Sequence, residues 1–361
     1  MSGERSHGEM LAKFDDLYEG FYPWLAGQYD PGYGGFYYAR SSREDPEFQP
    51  DIESTSQALS IIQRSGLLEK MPDGMRRRLI AFYHQRQAPE GYFYDPHNNM
   101  RAVDRMVARA LNFSARYLEA LGDRPRYPLP GSAGIASLPE YMRSPAVFRQ
   151  WMDERPWDYA WMACDNIGAA GFYLRYLPEA ERNLLLDLIW DYIESRQNPE
   201  TGMWGGGRPY VQLSGAFKFT ALYEEYGRAM PRPQQLYQTV LRTIREDVSE
   251  DMCWTRNTVD LLATLEPQIG PYPEADLREI LAITYRNLCQ YLKPDGGFSR
   301  HVGHSLAIPN NVPLGKGLAE GDMNAATQAL RIRSLCHRIA GQPEPPLSKY
   351  TQGFYERMAQ K

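Results

Sequence analysis

Cysteine is scarce in this chain. Four residues, Cys164, Cys253, Cys289 and Cys336, stand singly and far apart in 361, a distribution that does not indicate a disulfide framework and suits a reducing compartment. Long apolar runs are missing as well. No stretch approaches the ~20 residues needed to cross a bilayer, and the opening "MSGERSHGEMLAKFDD" has neither an apolar signal core nor a cleavage site. A soluble, cytoplasmic protein with no membrane partner is expected. There is no basic tract either: 40 Lys and Arg are interspersed with 45 Asp and Glu for a net charge of −5, and the longest basic run is Arg76 to Arg78. Nucleic acid is therefore not an expected partner. Strand-like alternation between turn signals is also hard to find.

Amphipathic aromatics, by contrast, are plentiful, with 25 Tyr and 7 Trp. They offer a flat apolar face with a polar edge, which suits sugar rings and interfaces as well as cores. Several fall in one recurring pattern. "GQYDPGYGGFYY" from Gly27, "RQAPEGYFYDP" from Arg86, "RQNPETGMWGGG" from Arg196 and "CQYLKPDGGFSR" from Cys289 each run from Gln through Pro to an aromatic, namely Phe36, Phe93, Trp204 and Phe298. Placing degenerate copies at Trp151 and Trp254 gives six units with a period of about 50 residues, which means repeat architecture.

Each unit reads as two helices. "MRRRLIAFYHQR", "ERNLLLDLIWDYIESR" and "ADLREILAITYRNLCQYL" carry charge along one face, as outward-facing helices do. The segments opening at Asp51, Asp104, Asp165, Gly215, Asn257 and Asp322 are rich in Ala, Gly and Leu, as helices packed on most sides are. Six inner and six outer helices predict an all-α fold, an (α/α)6 toroid, forming a single domain over 1–361. The Pro- and Gly-rich stretch 124–145 interrupts the pattern and reads as a surface insertion at the cavity's edge.

The Gln-x-x-x-Gly-x-aromatic repeat resembles those of terpenoid cyclase and protein prenyltransferase toroids, and a similar "QY…GGF" segment occurs in toroidal pectate lyases. The Asp-x-Asp-Asp acid of protonating terpenoid cyclases does not occur. "FDDLYE" from Phe14 matches an Asp-Asp-x-x-Glu diphosphate motif without a second metal motif, and "DMCW" at Asp251 with His301 or His304 superficially matches a prenyltransferase zinc set. "CDNIGAAGFYLRYLPEAER" at Cys164 resembles the segment of unsaturated glucuronyl hydrolases in which a catalytic Asp opens an inner helix. That family places a second carboxylate at the preceding inner helix, where Asp104 stands here, 61 residues upstream.

Ring closure would bring the starts of the inner helices to one mouth, gathering Asp51, Glu53, Asp104, Asp165, Asp260 and Asp322. Two such carboxylates, one protonated and one ionised, carry out glycoside hydrolysis, and Asp104 with Asp165 is the expected catalytic pair. Arg105, Lys218 and Arg256 are expected to bind an anionic substituent or to act in elimination, beside Asn166 and Asn257. Trp157, Trp161 and Trp204, with Tyr37, Tyr92 and Tyr94, are the expected sugar-stacking set, although Trp204 and the recurring Phe residues also read as structural pegs. Any single Asp in such a place reads first as an ordinary helix cap. The expectation is an oligosaccharide-cleaving enzyme using neither metal nor cofactor. A terpenoid or prenyl enzyme and a non-catalytic ligand-binding toroid are the alternatives.

Overall fold

The fold was read from a computed structural model that describes residues 2–359, with side chains from residue 7 onward. About 60% of the chain is helical and 3% is strand, so the protein belongs to the all-α class. Twelve of the helices carry the architecture: α1 (Ser2–Asp16), α2 (Ile52–Arg64), α3 (Asp73–Arg86), α4 (Asp104–Ala120), α5 (Pro145–Asp153), α6 (Ala160–Leu174), α7 (Glu179–Ser195), α8 (Pro209–Glu225), α9 (Pro233–Glu246), α10 (Met252–Ile269), α11 (Glu274–Tyr291) and α12 (Met323–Ile339).

The even-numbered helices are the ones expected to be packed on most sides, and each packs on the next. Contacts run from α2 to α4, α6, α8, α10 and α12 in turn, and α12 packs back on α2. The charged odd-numbered helices lie against this cycle, α3 on α4, α7 on α6, α9 on α8 and α10, and α11 on α10 and α12, while α1 rests on α11 and α12. Small residues set the closest approach, between α6 and α8. A Cβ on Gly168 would stand 2.9 Å from the Lys218 carbonyl oxygen, and one on Gly215 would stand 3.0 Å from Ala160.

The recurring turns explain how outer helices hand over to inner ones. Phe36, Phe93, Trp204 and Phe298 are each wholly buried, a contribution of about 1.5–3 kcal/mol for each large apolar side chain. In three copies the residue after the aromatic donates its N–H to a carbonyl at or near the preceding helix end: Tyr37 to Gln28, Tyr94 to Arg86 and Ser299 to Tyr291, all at 2.9 Å. The Gln of the pattern ties the turn internally, Gln197 Nε2 donating to the carbonyls of Gly202 and Pro231 at 2.8 and 2.9 Å. Gln290 in the last copy is exposed and takes no such part.

Two expected copies are not turns. Trp151 lies within α5, stacked on Tyr141 with ring centroids 4.4 Å apart, and Trp254 lies within α10, stacked on Tyr210 at 5.3 Å. The helix pairs recur where the turn sequence does not. Stretch 124–145 is more than surface, because Leu138 and Met142 are fully buried, and none of its residues lines the cavity described below.

Candidate functional site

Three inner helices begin earlier than their sequence suggests. α6 starts at Ala160, α8 at Pro209 with proline in its first turn, and α10 at Met252 behind an Asp251 cap. Asp165, Lys218 and Arg256 therefore sit more than one turn inside their helices, and neither capping nor the helix dipole accounts for them. They face a cavity of about 610 Å³ between the even-numbered helices.

Eight Lys and Arg side chains line this cavity against three carboxylates, Asp165, Glu224 and Glu225. Arg109, Lys218, Arg256 and Arg300 belong to its inner part, and Arg64, Arg116, Arg175 and Arg331 to the part toward the helix ends. Trp161, Phe172 and Phe217 supply aromatic faces. The Lys218 ammonium lies 5.3 Å from the Trp161 ring centre and the Arg256 guanidinium 4.1 Å from that of Phe217, within cation–π range.

Asp165 is the centre of the inner part. It is 7% exposed, with Oδ1 2.8 Å from Lys218 Nζ and Oδ2 3.7 Å from Arg105 Nη1. Burial alone would raise its pKa, but Lys218, Arg109 and Arg105 outweigh burial and hold the carboxyl below its usual range. Burial pushes the Lys218 ammonium below the ordinary lysine value, Asp165 opposing. Arg256 is likewise pushed down by burial, to about 10, against the pull of Asp260. Its Nε, the Nε of Arg105, the amide nitrogen of Asn257 and the amide oxygen of Gln328 are buried without a partner among the described residues, and such orphaned groups are costly unless something binds them.

Asp104 does not join Asp165. It is exposed at the first residue of α4 and does not line the cavity. The expected pairing assumed that both open their helices, whereas Asp165 lies deep in α6. Asp51 and Asp322 are buried N-caps that do not line the cavity: Asp51 Oδ1 accepts the Ser54 N–H at 2.7 Å, and Asp322 Oδ1 accepts that of Ala325 at 2.8 Å. Burial raises the pKa of Asp322 to about 6. Glu53 accepts from Arg109 Nη2 at 2.5 Å and Gln57 Nε2 at 2.6 Å, and Asp260 accepts from Arg331 Nε and Nη2 at 2.6 and 2.7 Å. Both acids hold cavity cations in place from behind.

Among the amides, Asn257 lines the cavity, whereas Asn166 donates to the Met162 carbonyl of its own helix at 2.9 Å and does not. Of the expected stacking set only Trp161 lines the cavity. Trp204 is a peg: its Nε1 donates to the Ile193 carbonyl at 2.7 Å. Trp157 donates to Met152 O at 3.0 Å under the Arg196 guanidinium. Tyr92 and Tyr94 stack on each other outside the cavity, and Tyr37 is buried away from it.

The acids of the two segments that match metal motifs make ion pairs instead. Asp15 of "FDDLYE" pairs with Arg333 at 2.6 Å. Asp251 caps α10 and pairs with Arg300, and no group of three His, Cys, Asp or Glu among the described residues could hold a metal ion. Arg64, Arg116, Arg300 and Arg331 were not expected at the site. A signal was present in the sequence: Gln57 and Arg64, Arg109 and Arg116, and Asn324 and Arg331 are each seven residues apart on one helix, so each pair shares one helix face.

No protein-family model matches the chain, and no curated protein matches it. No helix is long and apolar enough to cross a membrane.

Proposed function

We propose that the protein is an (α/α)6 toroid whose central cavity binds an acidic oligosaccharide and cleaves its glycosidic bond. The closed cycle of even-numbered helices supports the architecture. The observation that carries the functional reading is the charge of the cavity: in a chain of net charge −5, eight cations converge on three carboxylates beside aromatic faces. Such a field concentrates and holds anions, and flat aromatic walls suit sugar rings.

The residues favour elimination over hydrolysis. Hydrolysis by paired carboxylates needs one protonated and one ionised, but Asp165 is held ionised, Glu225 is engaged by Arg175 at 2.6 Å and Glu224 accepts from Thr264 Oγ1 at 2.7 Å toward the helix ends, and Asp104 lies outside. In elimination, Arg256 or Arg109 neutralises a uronate carboxylate, which acidifies the adjacent C–H. Lys218 in its neutral form takes that proton, the electron pair forms a carbon–carbon double bond, the glycosidic C–O bond breaks, and the leaving oxygen takes a proton from water. Asp165 fixes the Lys218 amine and receives no proton.

Incubation with oligouronates tests this. New reducing ends together with the ultraviolet absorbance of an unsaturated product are expected. Reducing ends without absorbance would return the reaction to hydrolysis, and binding without turnover would leave a ligand-binding toroid. The prenyl reading lacks support, because a diphosphate bound through metal needs a carboxylate cluster, and none is present among the described residues.

A further inference from the structure

The cavity cations fall in two tiers. Three of the helices that place a polar residue in the inner part, α2, α4 and α12 with Gln57, Arg109 and Asn324, each place an arginine seven residues later, Arg64, Arg116 and Arg331. Seven residues are nearly two turns, so the tiers lie about 10 Å apart along the helix axes. In the inner tier every cation has an acidic partner: Lys218 has Asp165, Arg109 has Glu53, Arg256 has Asp260 and Arg300 has Asp251.

The second tier is different. Arg331 shares Asp260 and Arg175 pairs with Glu225, but Arg64 and Arg116 make no side-chain hydrogen bond or ion pair among the described residues. Arg331 and Arg116 stand close enough to Arg64 for their like charges to act on it. The dipole of α2 favours a cation at Arg64, its last residue, but Arg116 stands four residues before the end of α4 and gains little from it. Exposure changes along the same direction. Asp165, Asn257 and Gln328 in the inner tier are buried, while Arg64, Arg116, Glu224 and Ala221 toward the helix ends are exposed.

From the unpartnered Arg64 and Arg116 and the opening beside them, we infer that the ligand enters at the ends of the inner helices and carries two anionic groups about 10 Å apart, the second held by Arg64 and Arg116. This rests on the acidic-oligosaccharide reading and narrows it. The ligand is a linear oligosaccharide with acid groups on non-adjacent sugars, so a single acidic sugar engages only the inner tier. The anions themselves are carboxylates or the phosphate or sulfate esters that the same guanidinium groups would accept.

Calorimetric titration with galacturonic acid, its dimer and its trimer tests the inference, with pyrophosphate as a separate arm. The intact protein is expected to bind the trimer more tightly than the monomer. The Arg64→Gln/Arg116→Gln variant is expected to lose about tenfold for the trimer and little for the monomer, and Arg64→Lys/Arg116→Lys to recover most of that loss. Unchanged urea midpoints show that the variants are folded. Equal affinity for monomer and trimer, or a length preference that survives the double substitution, overturns the two-tier ligand while leaving the proposed function standing. Failure of the intact protein to bind any uronate overturns both. Tight pyrophosphate binding that alone weakens in the double variant replaces the oligosaccharide with a phosphate ligand.

Discussion

Asp165 and Asp260 are both buried carboxylates on inner helices, both are surrounded by cations, and the two make opposite use of them. Asp260 is 2% exposed and takes two hydrogen bonds from Arg331 and an ion pair at 3.0 Å from Arg256. Asp165 lines the cavity, has one close partner in Lys218, and stands 3.7 Å from Arg105, beyond hydrogen-bond distance. In both, burial raises the pKa and the cations overcome it. Ionisation therefore does not separate a functional carboxylate from a structural one. The separation lies in coordination, since Asp260 is saturated by its own protein and Asp165 has capacity left for something that enters.

Removing the saturated acid should have the largest effect. Asp260→Ala leaves two guanidinium groups without their counter-charge and is expected to cost about 3–5 kcal/mol in urea unfolding. Were the loss under about 1 kcal/mol, the Asp260 cluster would be no more than a surface pair.

A third buried carboxylate sharpens the comparison through pH. Asp322, with a pKa near 6 against 3.8 for the free group, folds more favourably protonated. Its contribution is fully present below the unfolded value and is lost as pH rises through about 6. Relative to Asp322→Asn, which keeps a cap acceptor, the intact protein should gain up to about 3 kcal/mol on going from pH 7 to pH 4. Parallel stability–pH curves for the two proteins would remove Asp322 as a titrating group. Asp165 and Asp260 have the opposite sign, because their lowered values keep stability above the unfolded value and lose it as pH falls further.

The unsaturated acid should matter less for stability and more for turnover. Asp165→Asn is expected to shift the urea midpoint less than half as far as Asp260→Ala while lowering turnover about a hundredfold, as loss of a group that positions an acid–base residue does. Equal destabilisation by the two substitutions would erase the distinction. The smallest effect is expected from Gly168→Ala. Its Cβ would press on the Lys218 carbonyl oxygen, with a stability cost of about 1 kcal/mol and a displaced Lys218. A kcat that falls with KM unchanged marks that displacement, whereas unaltered kinetics would mean that the α6–α8 contact simply yields.

Much of the fold was legible because it depends on patterns that sequence displays directly. The contrast between charged amphipathic segments and Ala- and Gly-rich ones separated the odd-numbered helices from the even-numbered ones, and the buried Phe36, Phe93, Trp204 and Phe298 follow the turn repeat. The site was legible in part. Asp165, Lys218, Arg256, Asn257 and Trp161 come together around the cavity, while Asp51 and Asp322 are caps and Asp104 is exposed outside it. The division has one cause. Asp51, Asp104 and Asp322 stand at true helix starts and stay outside the cavity, whereas α6, α8 and α10 begin about five residues earlier than their sequence suggests, behind Tyr159, Arg208 and Asp251, which carries Asp165, Lys218 and Arg256 inside.

The sequence by itself determined the helical class, the pairing of inner with outer helices and the aromatic pegs, because periodicity and turn chemistry act over a few residues. The tertiary structure alone decided the charge of the cavity. A net charge of −5 concealed eight cations, six on five helices, one at the end of α6 and one in the loop before α12, because charges far apart along the chain acquire a common field only when packing turns the segments that carry them toward one space.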